Sequence, residues 1–282
     1  MGELLDRALS PEVLNASWKR LRPDKTVWKP GLPRWEMERN LVLHLQELVD
    51  DLKAGRYRPA PLRQFTIIKG DGKQRVLSAL SLRDKLAQRA VLTVLEPLGE
   101  QLFHNDSFGY RPARNTELAH RRACERIRCG LPWLVDGDIA KFFDTIPHRP
   151  LQKTLKRYIP DRELLRLIDL WLAEGASSQG FLSVRRGIAQ GAVISPILCN
   201  LYLHELDLAL ADKNIPFVRF ADDFLLFAPD EKKAQAAQAF IGRQLEAMGL
   251  ALHPEKTQVV RSHPGLVFLG HHLINPPSEG GK

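Results

Sequence analysis

A chain of 282 residues with 44% hydrophobic and 26% charged side chains can bury one large core, or two subdomains sharing a cleft. No run approaches the roughly 18 uninterrupted apolar residues of a membrane span, and the acid-containing N-terminus MGELLDRALSPEVL lacks the apolar stretch of a secretory signal, so a cytoplasmic protein is expected. The net charge of +8 favours a polyanionic partner such as nucleic acid, or an acidic membrane surface, whereas Cys124, Cys129 and Cys199 make neither a disulfide framework nor a four-ligand zinc set.

Residues 1–60 read as helices broken by loops. Ser10-Pro11 supplies an N-cap and a first-turn proline for the helix PEVLNASWKRL. After the loop RPDKTVWKPGLP, the stretch WEMERNLVLHLQELVDDLKAG carries Leu41, Leu45, Leu48 and Leu52 at helical spacing and predicts one helix that stops at Gly55. RQFTIIK and KQRVLSA are β-prone runs flanking Gly70-Asp71-Gly72, a hairpin signal. Between 52 and 90 there are ten Lys or Arg, two Asp and no Glu. Such a run is either a solvated basic face or one that contacts phosphates.

Residues 84–130 read as helical around the irregular SFGYRPARN. LPWLVDGDIAKFFDTIPH predicts a buried strand running into a turn. Helix is expected from 149 to about 174, and QGFLSVRRG as a strand approaching a glycine loop. Ser195-Pro196 opens the helix ILCNLYLHELDLALAD. FVRF-ADD-FLLFA is a hairpin with a polar tip, and DEKKAQAAQAFIGRQLEAMGL an amphipathic helix ending near Gly249. TQVVRS and LVFLGHHLI are short final strands. Alternating helices and antiparallel hairpins imply an α+β fold.

The carboxylates carry the chemistry. Asp222 and Asp223 lie between two apolar runs, where adjacent like charges are costly unless neutralised. Mg²⁺, a hard cation that prefers carboxylate oxygens, would neutralise them; a solvent-exposed hairpin tip is the plainer alternative. Upstream, Asp136 and Asp138 share one face of a strand, with Asp138 at its end, while Asp144 reads as a turn or cap residue. Two aspartate sites about eighty residues apart suit two-metal phosphoryl transfer. Strand alternation keeps Asp222 and Asp223 from both facing one metal pair. Asp222 is therefore expected to bridge with Asp138, and Asp223 to be a supporting charge. His253, His263, His271 and His272 lack zinc-site spacing with the cysteines.

These residues fall into blocks. D-I-A-K-F-F-D (138–144), G-I-A-Q-G-A-V-I-S-P-I-L-C-N (187–200) and F-A-D-D (220–223) resemble, in order, the catalytic blocks of reverse transcriptases, the last being a variant of their Y-A-D-D box. I-I-K-G-D-G-K-Q-R (67–75), L-R-D-K (82–85), S-F-G-Y-R-P-A-R-N (107–115), H-P-E-K-T (253–257) and F-L-G (268–270) extend the likeness from about 65 to 273. S-F-G-Y-R-P and S-P-I-L-C-N look like the group II intron lineage, which includes CRISPR-associated and other domesticated bacterial members.

The resemblance implies a right-hand polymerase with an antiparallel palm sheet packed on helices. Residues 1–95 would be the N-terminal extension and fingers, and 96–275 the palm, with part of the fingers interleaved around 150–185. Residues 276–282 would be a tail or linker. Only twelve residues follow F-L-G, so no thumb or endonuclease domain is expected, and a partner protein or fused domain would supply a thumb or an integrase. The implied activity is RNA-directed DNA polymerisation, adding dNTPs to a DNA or RNA primer on an RNA template with two Mg²⁺ ions, for which Mn²⁺ can substitute.

Roles follow the matching positions. Asp138 and Asp222 resemble the metal ligands, with Asp223 beside them and the Ile139 carbonyl as a further ligand. Phe143 matches the bulky residue that excludes a ribose 2′-hydroxyl. Lys69 and Arg75 resemble contacts to the incoming triphosphate, and Gln190 and Gly191 the loop beneath the templating pair. Lys256 resembles the proton donor to pyrophosphate. Arg111 and Arg114 would track the template, and Phe268-Leu269-Gly270 would form the primer grip. Two other readings stand beside this one: a palm nucleotidyltransferase with other template use, opposed by Phe143, and a catalytically reduced nucleic-acid-binding palm in defence or spacer acquisition, opposed by the intact Asp138 and Asp222.

Overall fold

The computed structural model describes residues 2–68, 74–175 and 185–274. In chain order its elements are α1 (Glu3–Ala8), α2 (Pro11–Leu21), α3 (Arg34–Arg39), α4 (Leu41–Lys53), β1 (Arg63–Ile68), β2 (Gln74–Ala79), α5 (Leu82–Leu102) and α6 (Thr116–Arg128). There follow β3 (Trp133–Asp138), α7 (Phe142–Thr145), α8 (His148–Tyr158), α9 (Arg162–Gly175) and α10 (Ser195–Asp212). The chain ends with β4 (Phe217–Phe220), β5 (Asp223–Ala228), α11 (Glu231–Ala247), β6 (Gln258–Arg261), β7 (Val267–Phe268) and β8 (His271–His272). They form two compact units, Met1–Gly99 with Pro147–Leu198, and Glu100–Ile146 with Cys199–Lys282. No helix among the described residues is long and apolar enough to cross a membrane.

The first unit is mostly helical. α2 starts as its sequence predicts, with the Ser10 hydroxyl accepting from the Val13 N–H at 3.3 Å and Pro11 at the first helical position. The single helix expected over 35–55 is instead two, because the backbone leaves helical geometry at Asn40 (φ −125°). Asn is a poor helix-interior residue, and the break lets α3 bury Met37 separately from Leu48, Val49 and Leu52 of α4. At α9 the Asp161 carboxylate accepts from the N–H groups of Glu163 and Leu164 at 3.0 Å, and also from Leu5 at 2.9 Å, tying α1 to this helix start. β1 and β2 pair antiparallel from Arg63↔Ala79 to Ile68↔Gln74. β1 is exposed along its whole length, whereas residues 77–79 of β2 are half-buried. Its tip, with Lys69 and Gly70-Asp71-Gly72, lies outside the described residues, as do most of QGFLSVRRG and the 276–282 tail.

The second unit is built on a four-stranded antiparallel sheet of order β4-β5-β3-β6. Cross-strand partners share a face. One face therefore carries Leu134, Asp136 and Asp138 from β3, opposite Phe227, Leu225 and Asp223 from β5, with Val218 of β4 beside Leu225. Its apolar half packs with Ala119 and Ala123 of α6, leaving the acids at the other end. The opposite face carries Val135, Gly137, Phe224, Leu226 and Arg219. It is met by Asp207 of α10, bonded to Arg219, and α11 packs across β3, β5 and β6. Helices and an antiparallel sheet give the α+β class expected.

Gly137 has a specific packing role. It faces Phe224 across the ladder, and a Cβ there would lie 2.4 Å from the buried Phe224 ring. Gly137→Ala must displace that ring in a close-packed layer, and should lower unfolding stability by about 1–3 kcal/mol, read from the denaturant midpoint.

Candidate active site

Strand register sets the site. β3 ends at Asp138 and β5 begins at Asp223, and the two are direct cross-strand partners, a placement that brings Cβ atoms to about 5 Å. Phe220↔Asp223 closes the β4–β5 hairpin, leaving Ala221 and Asp222 as a two-residue loop. Ala221 has φ 59°, and a positive φ at the first loop residue alone is the pattern of a II′ turn, a conformation usually given to glycine. Asp222 thus projects from a turn and escapes the strand alternation assumed from sequence. Asp223, the first residue of β5, stands directly across from Asp138.

Beyond Asp138 the chain stays paired with the 251–253 segment. The Ala140 N–H donates to Ala251 O and the His253 N–H to Asp138 O, both at 2.8 Å, with Ile139 opposite Leu252. In this pattern Ile139 directs its own N–H and C=O away from that partner, toward the Asp222 side. The buried Ile139 side chain anchors the carbonyl. Lys141 then takes φ 47°, turning the backbone into α7, where buried Phe142 meets half-buried Phe143 edge-on at 5.7 Å.

Charge crowding is the site's main electrostatic property. Asp223 is pushed up to about 6 from 3.8, first by lost solvation, then by Asp222 and Asp138, with Lys256 opposing. Much of its surface still meets solvent, so the desolvation is that of a carboxylate against a crowded protein wall. Burial likewise raises Asp136, against a hydrogen bond from Gln258 and with a further push from Asp138. Lys256 supplies a countercharge: its ammonium pairs with Asp138, and chiefly through that hydrogen bond it holds its proton more tightly than an ordinary lysine. Cys199 is fully buried, its thiol pushed up by burial and then by Asp222, which makes it packing beneath the turn.

Among the described residues no three His, Cys, Asp or Glu side chains are already gathered as a ligand cluster; Asp138 is turned to Lys256. The donor chemistry nonetheless fits a hard divalent cation, since it is all oxygen, anionic and mutually repelling.

The other expected site residues fall in both units. In the second, Arg111 is buried, with its guanidinium donating to Glu100 at 2.8 and 2.9 Å and to the carbonyls of His104 and Ser107 at 2.7 Å. Its donors serve the fold, which corrects the expectation that it tracks a template. Arg114 is partly exposed, lies over the Phe108 ring at 5.2 Å, and donates to Asn105 O. Leu269 and Gly270 both have positive φ, 52° and 83°, between the paired Phe268 and His271, the signature of a I′ hairpin turn. Phe268 itself is core. In the first unit, Gln190 O accepts from the Ser78 N–H at 2.8 Å, and Gly191 (φ 95°) approaches Ser78 O so closely that a Cβ would lie at 3.1 Å. Arg75 lies in β2.

Sequence motifs did not point to Arg219 and Asp207. Both are buried, at 1% and 0% exposure, and they pair side-on at 2.7 and 2.5 Å. The available signal was a lone cation inside FVRF and an acid flanked by leucines, Leu206-Asp207-Leu208, in α10, since buried charges occur paired.

An antiparallel sheet presenting acids from a strand end and a neighbouring hairpin turn defines the palm of a nucleotide polymerase. Comparisons with known proteins agree. The family model for reverse transcriptase (RNA-dependent DNA polymerase) matches residues 67–273, and the chain belongs to that family. It is 32% identical to protein YkfC of Escherichia coli strain K12, across 99% of this chain and 84% of YkfC. It is 31% identical to the group II intron-encoded protein LtrA of Lactococcus lactis subsp. cremoris, across 75% of this chain but 35% of LtrA. A chain of a partial Cas6-RT-Cas1–Cas2 complex superposes with a TM-score of 0.50 and 25% identity, over 86% of this chain and 41% of that one. Within that family, the chain is thus similar to a group II intron-encoded protein. The chain spans only part of LtrA and of the Cas6-RT-Cas1 chain.

The raised Asp223 has a direct consequence for stability. Below 3.8 it is protonated folded or unfolded; between 3.8 and about 6 the unfolded chain releases a proton that the fold retains, so rising pH costs stability through this window and the full cost persists above it. In EDTA, Asp223→Asn should raise Tm at about pH 8 and leave it unchanged well below 3.8. Differential scanning fluorimetry at the two pH values checks the sign, and a lowered Tm at the higher pH would contradict the crowding.

Proposed function

We propose that this chain is an RNA-directed DNA polymerase that adds dNTPs to a primer 3′-hydroxyl, with two Mg²⁺ ions held by Asp138 and Asp222. Asp223 and the Ile139 carbonyl complete the donor set, and Mn²⁺ also serves. The observation that carries the reading is the direct pairing of Asp138 with Asp223 beside the Asp222 turn, in a cluster whose repulsion raises the Asp223 proton affinity. When bound, the ions acidify the primer hydroxyl and neutralise the triphosphate.

The chain's own groups supply the remainder. Lys256, whose side chain is 53% exposed beside Asp138 and whose ammonium holds its proton tightly there, donates a proton toward pyrophosphate once displaced from Asp138 by a cation. Phe143 sets sugar selection by shape, its ring held edge-on by Phe142 where a 2′-hydroxyl would clash. The first unit serves as the fingers, Lys69 and Arg75 meeting the triphosphate and the Gln190-Gly191 loop lying under the templating base. The second is the palm, with the Phe268-Leu269-Gly270 turn gripping the primer and Arg114 available to the template backbone. RNA template and a DNA or RNA primer are the partners, and a protein partner or fused domain supplies the thumb, in line with the multi-protein assembly of the Cas6-RT-Cas1–Cas2 neighbour.

Primer extension on RNA and DNA templates with Mg²⁺ tests the reading. Asp222→Ala should abolish synthesis while the fold persists; extension equal to wild type would remove the proposed chemistry, and an inert wild type would favour a palm retained for binding alone. Phe143→Ala should raise rNTP use relative to dNTP by something on the order of 10–100-fold, measured as the ratio of kcat/KM values.

A further inference from the structure

Arg219 belongs to the sheet face opposite the acids, so it touches neither substrate nor metal. Its guanidinium is nevertheless spent on the catalytic turn. Beyond the two bonds to Asp207, Nη1 donates to the Asn200 side-chain oxygen and to the carbonyl of Ala221, each at 3.1 Å. Ala221 is the residue held at φ 59°, and its carbonyl begins the peptide that leads into Asp222. The amide of Asn200 donates in turn to Gly109 O at 2.8 Å. Gly109 lies against the same turn, where an added Cβ would come within 2.3 Å of Ala221 N. The backbone is stitched at the same place: Phe108 N–H donates to Arg219 O and Arg219 N–H to Asp106 O, both at 2.8 Å. Asp106 is fixed to α6 by Arg122 and Arg126 at 2.6 Å.

Filling the back of the sheet does not require a charge. A buried ion pair is weak grounds for stability, and apolar side chains of similar volume often replace one without loss. A carbonyl in a left-handed turn, by contrast, needs a donor, and no apolar side chain provides one. Neutralisation by Asp207 also leaves Arg219 little net field to exert on Asp222. What remains is mechanical.

We infer that Arg219 is a positioning residue for the proposed polymerase reaction: held by Asp207 and Asn200, it grips the Ala221 carbonyl and so sets the direction in which Asp222 presents its carboxylate to the metals. This rests on the polymerase reading above and adds to it a determinant of metal affinity on the far side of the sheet.

The test is the paired variant Arg219→Met/Asp207→Leu in the full chain, which removes the donor without stranding a buried charge. Three quantities are measured: Tm, Mn²⁺ binding followed by the free-ion EPR signal, and Mg²⁺-dependent primer extension. Tm should change little, because the loss of the donor to the Ala221 carbonyl offsets what replacing the buried ion pair gains. The Mn²⁺ dissociation constant should rise roughly tenfold or more, as for other groups that orient ligands. kcat should fall by roughly tenfold or more, with a higher Mg²⁺ requirement and little change in KM for dNTP. Wild-type metal affinity and kcat in the variant would overturn the proposal. If the pair unfolds the protein, Arg219→Lys makes the same comparison, since an ammonium can meet Asp207 but not also Ala221. Wild-type metal affinity in Arg219→Lys, or its failure to fold, would equally refute a positioning role. The Mn²⁺ titration does not depend on turnover, so an inactive wild type would sink the polymerase reading while leaving this comparison intact.

Discussion

The rest of the structure depends on the register of β3 against β5. Leu134 meets Phe227, Asp136 meets Leu225, and Asp138 meets Asp223, so the same alternation that drives the apolar ends into the core sets the acids opposite each other. A slip of one residue would turn Leu225 and Phe227 away from α6, a loss no arrangement of carboxylates could offset. Apolar burial thereby enforces an electrostatic arrangement that repulsion alone would reject. The raised proton affinity of Asp223 measures that conflict, and Lys256 relieves part of it.

The sheet divides its work between faces. One presents carboxylates and backbone oxygen at its open end, and the other is closed by α10 and holds the Arg219–Asp207 pair. Between them the two glycines permit close approach, Gly137 beneath the Phe224 ring and Gly109 against the turn. Charge works on two scales as well. A net +8 draws a polyanion toward the protein as a whole, while the acidic cluster repels phosphate locally unless a cation intervenes. The two are compatible because screening limits the field of the acids to about a Debye length.

Motif-scale features were legible because they are local. The apolar run ending at Asp138, the polar tip of FVRF-ADD-FLLFA and the Ser-Pro helix starts each depend on neighbours a few residues away, and β3, the β4–β5 hairpin, α2 and α10 formed where expected. Asn40 was missed because the leucine periodicity continues through it and only tertiary burial of Met37 shows the break. Arg111 misled for a related reason. An arginine in a motif of a nucleic-acid enzyme suggests a phosphate contact, yet its donors are satisfied by Glu100 and two carbonyls.

By itself the sequence determined which segments alternate with period two, where the chain must turn, and which carboxylates sit at strand and hairpin ends, because steric and hydrophobic preferences act over a few residues. Tertiary structure alone decided that Asp223 faces Asp138, that Asp222 leaves the strand for a turn, and that Arg219 reaches from the back of the sheet to Ala221. Those relations join side chains up to 85 positions apart, and only the packing of α6 and α10 on the sheet's two faces selects the register that creates them.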